Sequence, residues 1–417
     1  MDSCLSPLRH IRSARFIAVF IITAILFALG QFHRSSGSVL SSVFAEQFNL
    51  QAEQLGFVIG VMFIAQAVGQ IPSGVLIDRF GSRKAISGMS LLAALGCLLV
   101  ASANSWTLLV VGRALIGLGF SAALMGSFKL FACWVPPQAL TTLTGRYMFF
   151  GFLGGLLATT PLTIMLDQLG WRSVFLIFGI GTAIAGGAVA IIVRDTPPGF
   201  DTTSFGPPET LFQVFRGIAT ILRKREMWPV LLAAPLLYAP PQILIGLWVA
   251  PYLADVHGLT AIERSYCLVF MVAGMSLGPP VYGLLDKNNK TRIRVVISGS
   301  LIVAASFLAL SLFGDYHWLL ATFLCGLICG ASTFFLLILA HAQLLFTSNY
   351  SGRVVSTVGV ISLIGVFATQ NASAMILGQF PAKDLTASLF GYQVLFALMA
   401  MCSVMIAILC LRLRVRP

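Results

Sequence analysis

The chain has 417 residues, 58% of them hydrophobic and only 10% charged, with a formal net charge of +12 and a mean hydropathy of +0.93. So little charge cannot cover a soluble globule of this length, which excludes a soluble enzyme or nucleic-acid-binding domain as the overall class. Apolar stretches of about 18 residues or more recur along the whole chain, and each can cross a bilayer as a helix.

Arg9, Arg12 and Arg15 precede a long apolar run, as in a secretory signal, but no small-residue cleavage site follows. The run therefore reads as an uncleaved first span. Twelve spans are predicted, at about 16–43, 55–77, 84–103, 106–133, 142–166, 171–193, 227–254, 264–285, 294–313, 318–342, 353–380 and 389–411. The long connection 194–226 divides them six and six, giving an N-terminal bundle 1–193, a linker, and a C-terminal bundle 227–417. The linker opens with the Pro/Gly-rich "RDTPPGFDTTSFGPP". It continues with Leu211, Phe215, Ile218 and Leu222 at helical spacing ahead of Arg223, Lys224 and Arg225, an amphipathic helix suited to a membrane surface. Cys325 and Cys329 share a helical face, but a metal or redox site needs more ligands, so the cysteines read as packing and no cofactor is expected.

The basic residues set the orientation. With the N-terminus inside, Arg172, Arg264 and Lys383 lie outside and Arg34, Arg113 and Lys129 lie within spans, leaving 20 of the 26 Lys and Arg at the cytoplasmic face. Both termini are then cytoplasmic, and the short loops suit a bacterial inner membrane.

Between spans 2 and 3 stands "GVLIDRFGSRK". Gly81 permits a tight turn, the basic residues hold the loop at the cytoplasmic face, and Asp78, at a membrane edge, needs a cation or a helix N-terminus nearby. Gly74, Asp78, Arg79, Gly81, Arg83 and Lys84 match the G-x3-D-R-x-G-x-R-K signature of the major facilitator superfamily, which the chain resembles over its whole length. A degenerate repeat, "GPPVYGLLDKNNKTRIR", stands at the matching place in the second half, with Tyr282 where Gly74 falls. Span 4 adds Arg113, Gly117 and Gly119, similar to the R-x3-G-x-G pattern of many members. Span 5 has Gly154 and Gly155 but lacks the Gly-Pro pair of drug/proton antiporters. The resemblance implies an all-α polytopic membrane protein, twelve transmembrane helices in two pseudo-symmetric six-helix bundles that rock about a central site. The signature loop would then act on conformational gating.

Arg34 and Arg113 are the chemical anomaly. Each lies about 10–15 Å below the outer surface by helical rise, whereas all fourteen Asp and Glu fall in loops or at span ends. A charge in the membrane interior is costly and should face a cavity or a partner. An anionic solute would supply the missing countercharge, since a guanidinium fork suits carboxylate or phosphate oxygens. The plainer reading is that the arginines pack, Arg113 bonding the carbonyls of span 1. Arg34 also resembles the arginine of the "DR" pair in span 1 of anion:cation symporters. Here His33 replaces the acidic residue, and Phe120 replaces the glutamate that often follows the span 4 motif. Either His33 carries a coupled proton or it is a neutral packing residue.

Gln31, Gln66, Tyr238, Gln242, Gln370 and Asn371 lie at similar depth and complete a candidate substrate pocket, with Pro235, Pro240 and Pro241 breaking span 7. Trp248 and Tyr252 read as an interfacial belt. The leading expectation is a secondary transporter of a small organic anion, coupled to protons or a counter-anion and working as a monomer in the lipid bilayer. The alternatives are a facilitator or exporter of a neutral or zwitterionic solute and a non-translocating sensor. No HExxH, P-loop or paired buried aspartates occur, so neither an enzyme nor an ATP-driven pump is indicated.

Overall fold

The structure, a computed structural model, describes residues 14–197, 211–286, 288–346, 351–380 and 385–413. Every regular element among these is helical. The first half contains α1 (Ala14–Ser35), α2 (Gly37–Phe48), α3 (Ala52–Phe80), α4 (Ser82–Ala101), α5 (Trp106–Phe120), α6 (Ala123–Trp134), α7 (Pro137–Leu157) and α8 (Thr160–Ile192). Then come α9 (Leu211–Arg223), α10 (Trp228–Leu237), α11 (Ala239–Ile243), a π-helical turn (Leu244–Trp248) and α12 (Val249–Asp255). The rest is α13 (Ala261–Leu285), α14 (Asn289–Phe313), α15 (Trp318–Ala331), α16 (Phe335–Leu344), α17 (Ser351–Leu377) and α18 (Leu385–Leu411).

Eleven helical segments among the described residues are long and apolar enough to cross a membrane, one fewer than the twelve expected. The exception is the predicted fifth span. Its sequence splits between α7, diluted by Thr142, Thr144 and Arg146, and the start of α8, with a turn at Ala158–Thr159 between them. Gly170 (φ 74°, ψ 158°) interrupts α8, and the portion beyond it matches the predicted sixth span.

The spanning helices turn large apolar side chains outward. On α1, Ile17, Ile21 and Ile25 form an exposed stripe at spacing four, while Val19, Leu26 and Phe27 are buried behind them. Ile191 of α8 is 83% exposed. Large apolar side chains turned outward at this density require hydrocarbon around them, and the chain is an integral membrane protein.

Contacts group the chain into two compact units. The first holds the described residues of Met1–Arg34, Ile64–Leu157 and Met165–Val214. The second holds Ser35–Phe63, Ala158–Ile164 and the described residues of Phe215–Pro417. The end of span 1 and the start of span 2 thus belong with the second set, for a packing reason. A Cβ at Gly37 would strike the carbonyl of Gly246 in the π turn, and one at Gly60 would meet Gln370, Asn371 and Phe367 at 3.2–3.3 Å. Ser38 Oγ accepts the Ala250 N–H at 2.9 Å.

The core of the first unit gathers on Tyr147. Its hydroxyl donates to the Thr23 carbonyl (3.2 Å) or Ser127 Oγ (2.9 Å), and its ring stacks on Phe27 at 5.1 Å. Among the helix ends, α5 is N-capped by Ser105, whose hydroxyl accepts the Leu108 N–H at 3.4 Å, and α13 by a Thr260–Glu263 capping box. The linker helix forms as expected. Ile221 and Gly217 are buried among its described residues, Leu222 is exposed, and Gly217 lies under the Arg353 side chain.

Candidate functional site

Arg34 sits in the last turn of α1, just before the chain bends at Ser36. Its side chain is half-buried, and Nε donates to Gln66 Oε1 of α3 at 3.1 Å. Among the described residues no acceptor meets its other two nitrogens and no carboxylate pairs with it. Gln66 thus fixes one edge of the guanidinium and leaves the opposite edge open.

Arg113, on α5, is differently placed. It is 0% exposed, and Nη1 reaches the His33 carbonyl only at 3.5 Å. Nε and Nη2 have no hydrogen-bond partner among the described residues. A guanidinium buried with two open N–H groups and no counter-ion is an expensive arrangement. Close helix packing produces it: a Cβ at Gly112 would sit 2.9 Å from the Gly96 carbonyl, and Gly119 lies against Ala93.

His33, also 0% exposed, lies in an aromatic box. The rings of Phe32, Phe120 and Phe175 stand 5.3, 5.7 and 5.8 Å from it, and Phe178 stands 6.2 Å away. Its Nε2 is 3.5 Å from Cys97 Sγ. The two departures from the symporter pattern, His33 and Phe120, are therefore neighbours in space. Gln31 is buried one turn before Arg34, with Oε1 unpartnered among the described residues.

The other candidates lie in the second unit. The prolines divide span 7 as expected: α10 stops before Tyr238, α11 lasts five residues, and a π turn follows, a feature frequent at functional sites. Tyr238 is buried edge-on against Phe335, 5.4 Å between centroids. Gln370 Nε2 donates to the Gln242 carbonyl at 3.1 Å, while Oε1 of each glutamine lacks a partner among the described residues. Asn371 spends its amide on its own helix, Nδ2 donating to the Phe367 carbonyl at 2.8 Å. Trp248 and Tyr252 do not form a belt. Trp248 is buried and donates to Ser373 Oγ at 2.7 Å, and Tyr252 donates to the Gly314 carbonyl at 2.6 Å. Each polar end found a partner in the interior, so no interface is needed to satisfy it.

The signature loop is held by residues that the motif does not contain. Gly81 has φ 84°, and Asp195 fills the space beside it: a Cβ there would lie 2.6 Å from Oδ2. Asp195 Oδ1 accepts the Arg83 N–H at 2.8 Å, and Arg83 Nε donates to the Ala190 carbonyl at 2.7 Å. Asp78 pairs with Lys129 at 2.6 Å, which supplies the required cation. Arg79 lies over the Phe80 ring at 5.5 Å, Lys84 is exposed, and Gly74 has only Met125 within van der Waals reach. In the degenerate repeat, Arg292 grips Asp286 with two bonds (2.8 and 2.9 Å), while Lys287 lies outside the described residues. Lys129 carried a sequence signal, a lone charge in a span. Asp195 carried none, because it stands more than a hundred residues from the loop it caps.

Comparison with known proteins follows this geometry. The profile of the Major Facilitator Superfamily matches residues 14–370. The probable sulfoacetate transporter SauU of Cupriavidus necator is 27% identical over 158 residues, which cover 38% of this chain and 37% of that protein. The nitrate/nitrite transporter NrtP of Picosynechococcus sp. is 30% identical, over 38% of this chain and 35% of that one. The hexuronate transporter of Escherichia coli K12 is 22% identical, over 66% and 67% respectively. The match to the first two thus spans little more than a third of their lengths. A crystal structure of a bacterial homolog to the human lysosomal transporter Spinster, inward-facing and unoccupied, superposes with a TM-score of 0.78. It is 18% identical, over 95% of this chain and 96% of that one. A D-xylose-proton symporter gives a TM-score of 0.72 at 15% identity, over 94% and 97%. At such identities these two speak for the fold alone.

Proposed function

The chain belongs to the major facilitator superfamily, and from that premise we propose that it carries a small organic anion across the membrane by alternating access. The observation behind this is Arg34: a half-buried guanidinium, oriented by Gln66 through Nε, with its remaining donors open and no carboxylate to neutralise it. An oxyanion is the ligand that such a fork accepts with two parallel hydrogen bonds. A cationic solute would meet like charge there. The names of the similar sulfoacetate, hexuronate and nitrate/nitrite transporters, each an anion carrier by its name, support the same class.

The surroundings of His33 support one coupling over the other. Its ring is enclosed by four phenylalanines and shut away from water, which favours a neutral packing role over a proton carrier. Exchange against a counter-anion is therefore the preferred coupling, with proton symport as the second reading. The orientation is the one the basic residues indicate: both termini at the cytoplasmic face of a bacterial inner membrane.

The test is a thermal-shift and uptake screen of purified and reconstituted protein against anionic, cationic and neutral solutes, repeated on Arg34→Lys. Stabilisation by anions alone, lost in Arg34→Lys while the variant stays folded, is the expected result. Binding of an uncharged solute that survives this substitution would overturn the reading.

A further inference from the structure

The second unit contains a cavity of about 340 Å³ that shares no residue with the Arg34 site. It lies between the C-terminal ends of α2, α12 and α17 and the N-terminal ends of α3, α13 and α18. Trp248, Phe380 and Tyr392 provide aromatic walls, Ser42 a hydroxyl, and Asp255 and Arg264 one charge of each sign.

The two charges do not close on each other; no ion pair within 4 Å joins them. Each makes its hydrogen bonds to neutral groups, although the two charges still act on each other through space. Asp255 Oδ2 accepts the Tyr392 hydroxyl at 2.9 Å, leaving Oδ1 without a hydrogen bond among the described residues. Arg264 is half-buried; it donates from Nη1 to the Ala250 carbonyl at 3.2 Å and from Nε to the Thr260 carbonyl at 3.4 Å, leaving Nη2 open among the described residues. The walls are fixed as well: Trp248 is tied to Ser373, and Tyr392 packs on Tyr252 at 5.2 Å.

We propose that this cavity is a second binding site, for a small zwitterion whose anionic group meets Arg264 and whose cationic group meets Asp255. Unlike charges that line one cavity without an ion pair between them leave room for a ligand that pairs with both. A ligand with a single charge satisfies one end and leaves the other facing a charge of its own sign. A ligand with both charges satisfies both, at little reorganisation cost, because Tyr392 and the two carbonyls already fix the groups. The aromatic walls suit the short apolar link between the two ends, and the cationic group can also lie against a ring face.

The test uses the full-length protein in detergent and matched ligands: glycine, β-alanine and γ-aminobutyrate as zwitterions, propionate and propylamine as single-charge counterparts. Binding is read by thermal shift and titration calorimetry on wild type, Arg264→Gln, Asp255→Asn and Arg34→Lys. The expected result is saturable binding of at least one zwitterion, with propionate and propylamine weaker by about tenfold or more. Arg264→Gln and Asp255→Asn should each weaken it by a similar factor, and Arg34→Lys should leave it intact. If one variant fails to fold, the wild-type ligand series still tests whether both charges are required, and the remaining variants place the site. Absence of binding by all three zwitterions, or propionate binding as tightly as β-alanine, overturns the proposal. Binding lost in Arg34→Lys but kept in both Arg264→Gln and Asp255→Asn also overturns it, and assigns the zwitterion to the Arg34 site.

Discussion

Gln66 Oε1 accepts the Arg34 Nε–H at 3.1 Å and so decides which edge of the guanidinium stays open. Replacing Gln66 by Glu would give Arg34 an internal counter-ion in competition with that solute. Anion affinity should fall by about tenfold or more at neutral pH. Gln66→Ala, which removes the orienting bond but adds no charge, should cost about three- to tenfold. Ligand-induced thermal shifts across an anion series would measure both. Equal affinity in wild type and Gln66→Glu would remove Arg34 from the binding site.

Arg113 gives the opposite expectation for stability. Its buried guanidinium has one long hydrogen bond and no countercharge, so Arg113→Met, similar in length and apolar, should leave the fold as stable or more stable. A gain of about 1–3 kcal/mol is the expected scale. Transport should nonetheless fall, if the charge serves a state of the cycle in which Arg113 opens to solute. A clear drop in melting temperature for Arg113→Met would instead make the arginine a structural residue.

Gly37 packs directly on the Gly246 carbonyl, with Ile59 Cγ2 2.8 Å from where a Cβ would lie. A side chain there cannot be accommodated without separating α2 from the π turn. Gly37→Ala should therefore disfavour this arrangement, raising the thiol-reagent accessibility of a cysteine placed at Ser41 and slowing transport by at least about tenfold. Unchanged labelling of that cysteine would show the contact to be dispensable.

Around the signature loop, Asp195→Asn and Asp78→Asn should both slow transport more than they weaken solute binding. They act on the loop's geometry and on the Lys129 pair, not on the solute. Asp195→Ala, which leaves the Arg83 N–H without its acceptor, should also cost about 1 kcal/mol of stability. Comparing turnover with affinity for each variant separates the two effects. A defect confined to affinity would contradict it.

The sequence by itself settled the class and the family. Mean hydropathy and the recurrence of long apolar stretches depend on the chain's transfer into lipid, a property of local segments that no tertiary contact alters. The signature loop is equally local, since a tight turn and a membrane-edge charge need particular residues at fixed spacing. The same segmental signal is weakest at the fifth span, where Thr142, Thr144 and Arg146 dilute the pattern, while Gly170 marks the start of the sixth close to where hydropathy put it.

The two arginines show what only tertiary structure could decide. In the sequence Arg34 and Arg113 were alike: basic, at similar depth, with no acid in any span. Packing separated them, leaving Arg34 half-exposed on Gln66 and enclosing Arg113 behind His33. It also brought the two departures from the symporter pattern together, the ring of Phe120 covering His33. Depth along a helix follows from a rise of about 1.5 Å per residue and can be counted. Access, partner and counter-ion depend on which distant helix lies across the way, and the pairings that fix them here span 32 residues for Arg34 and 80 for Arg113.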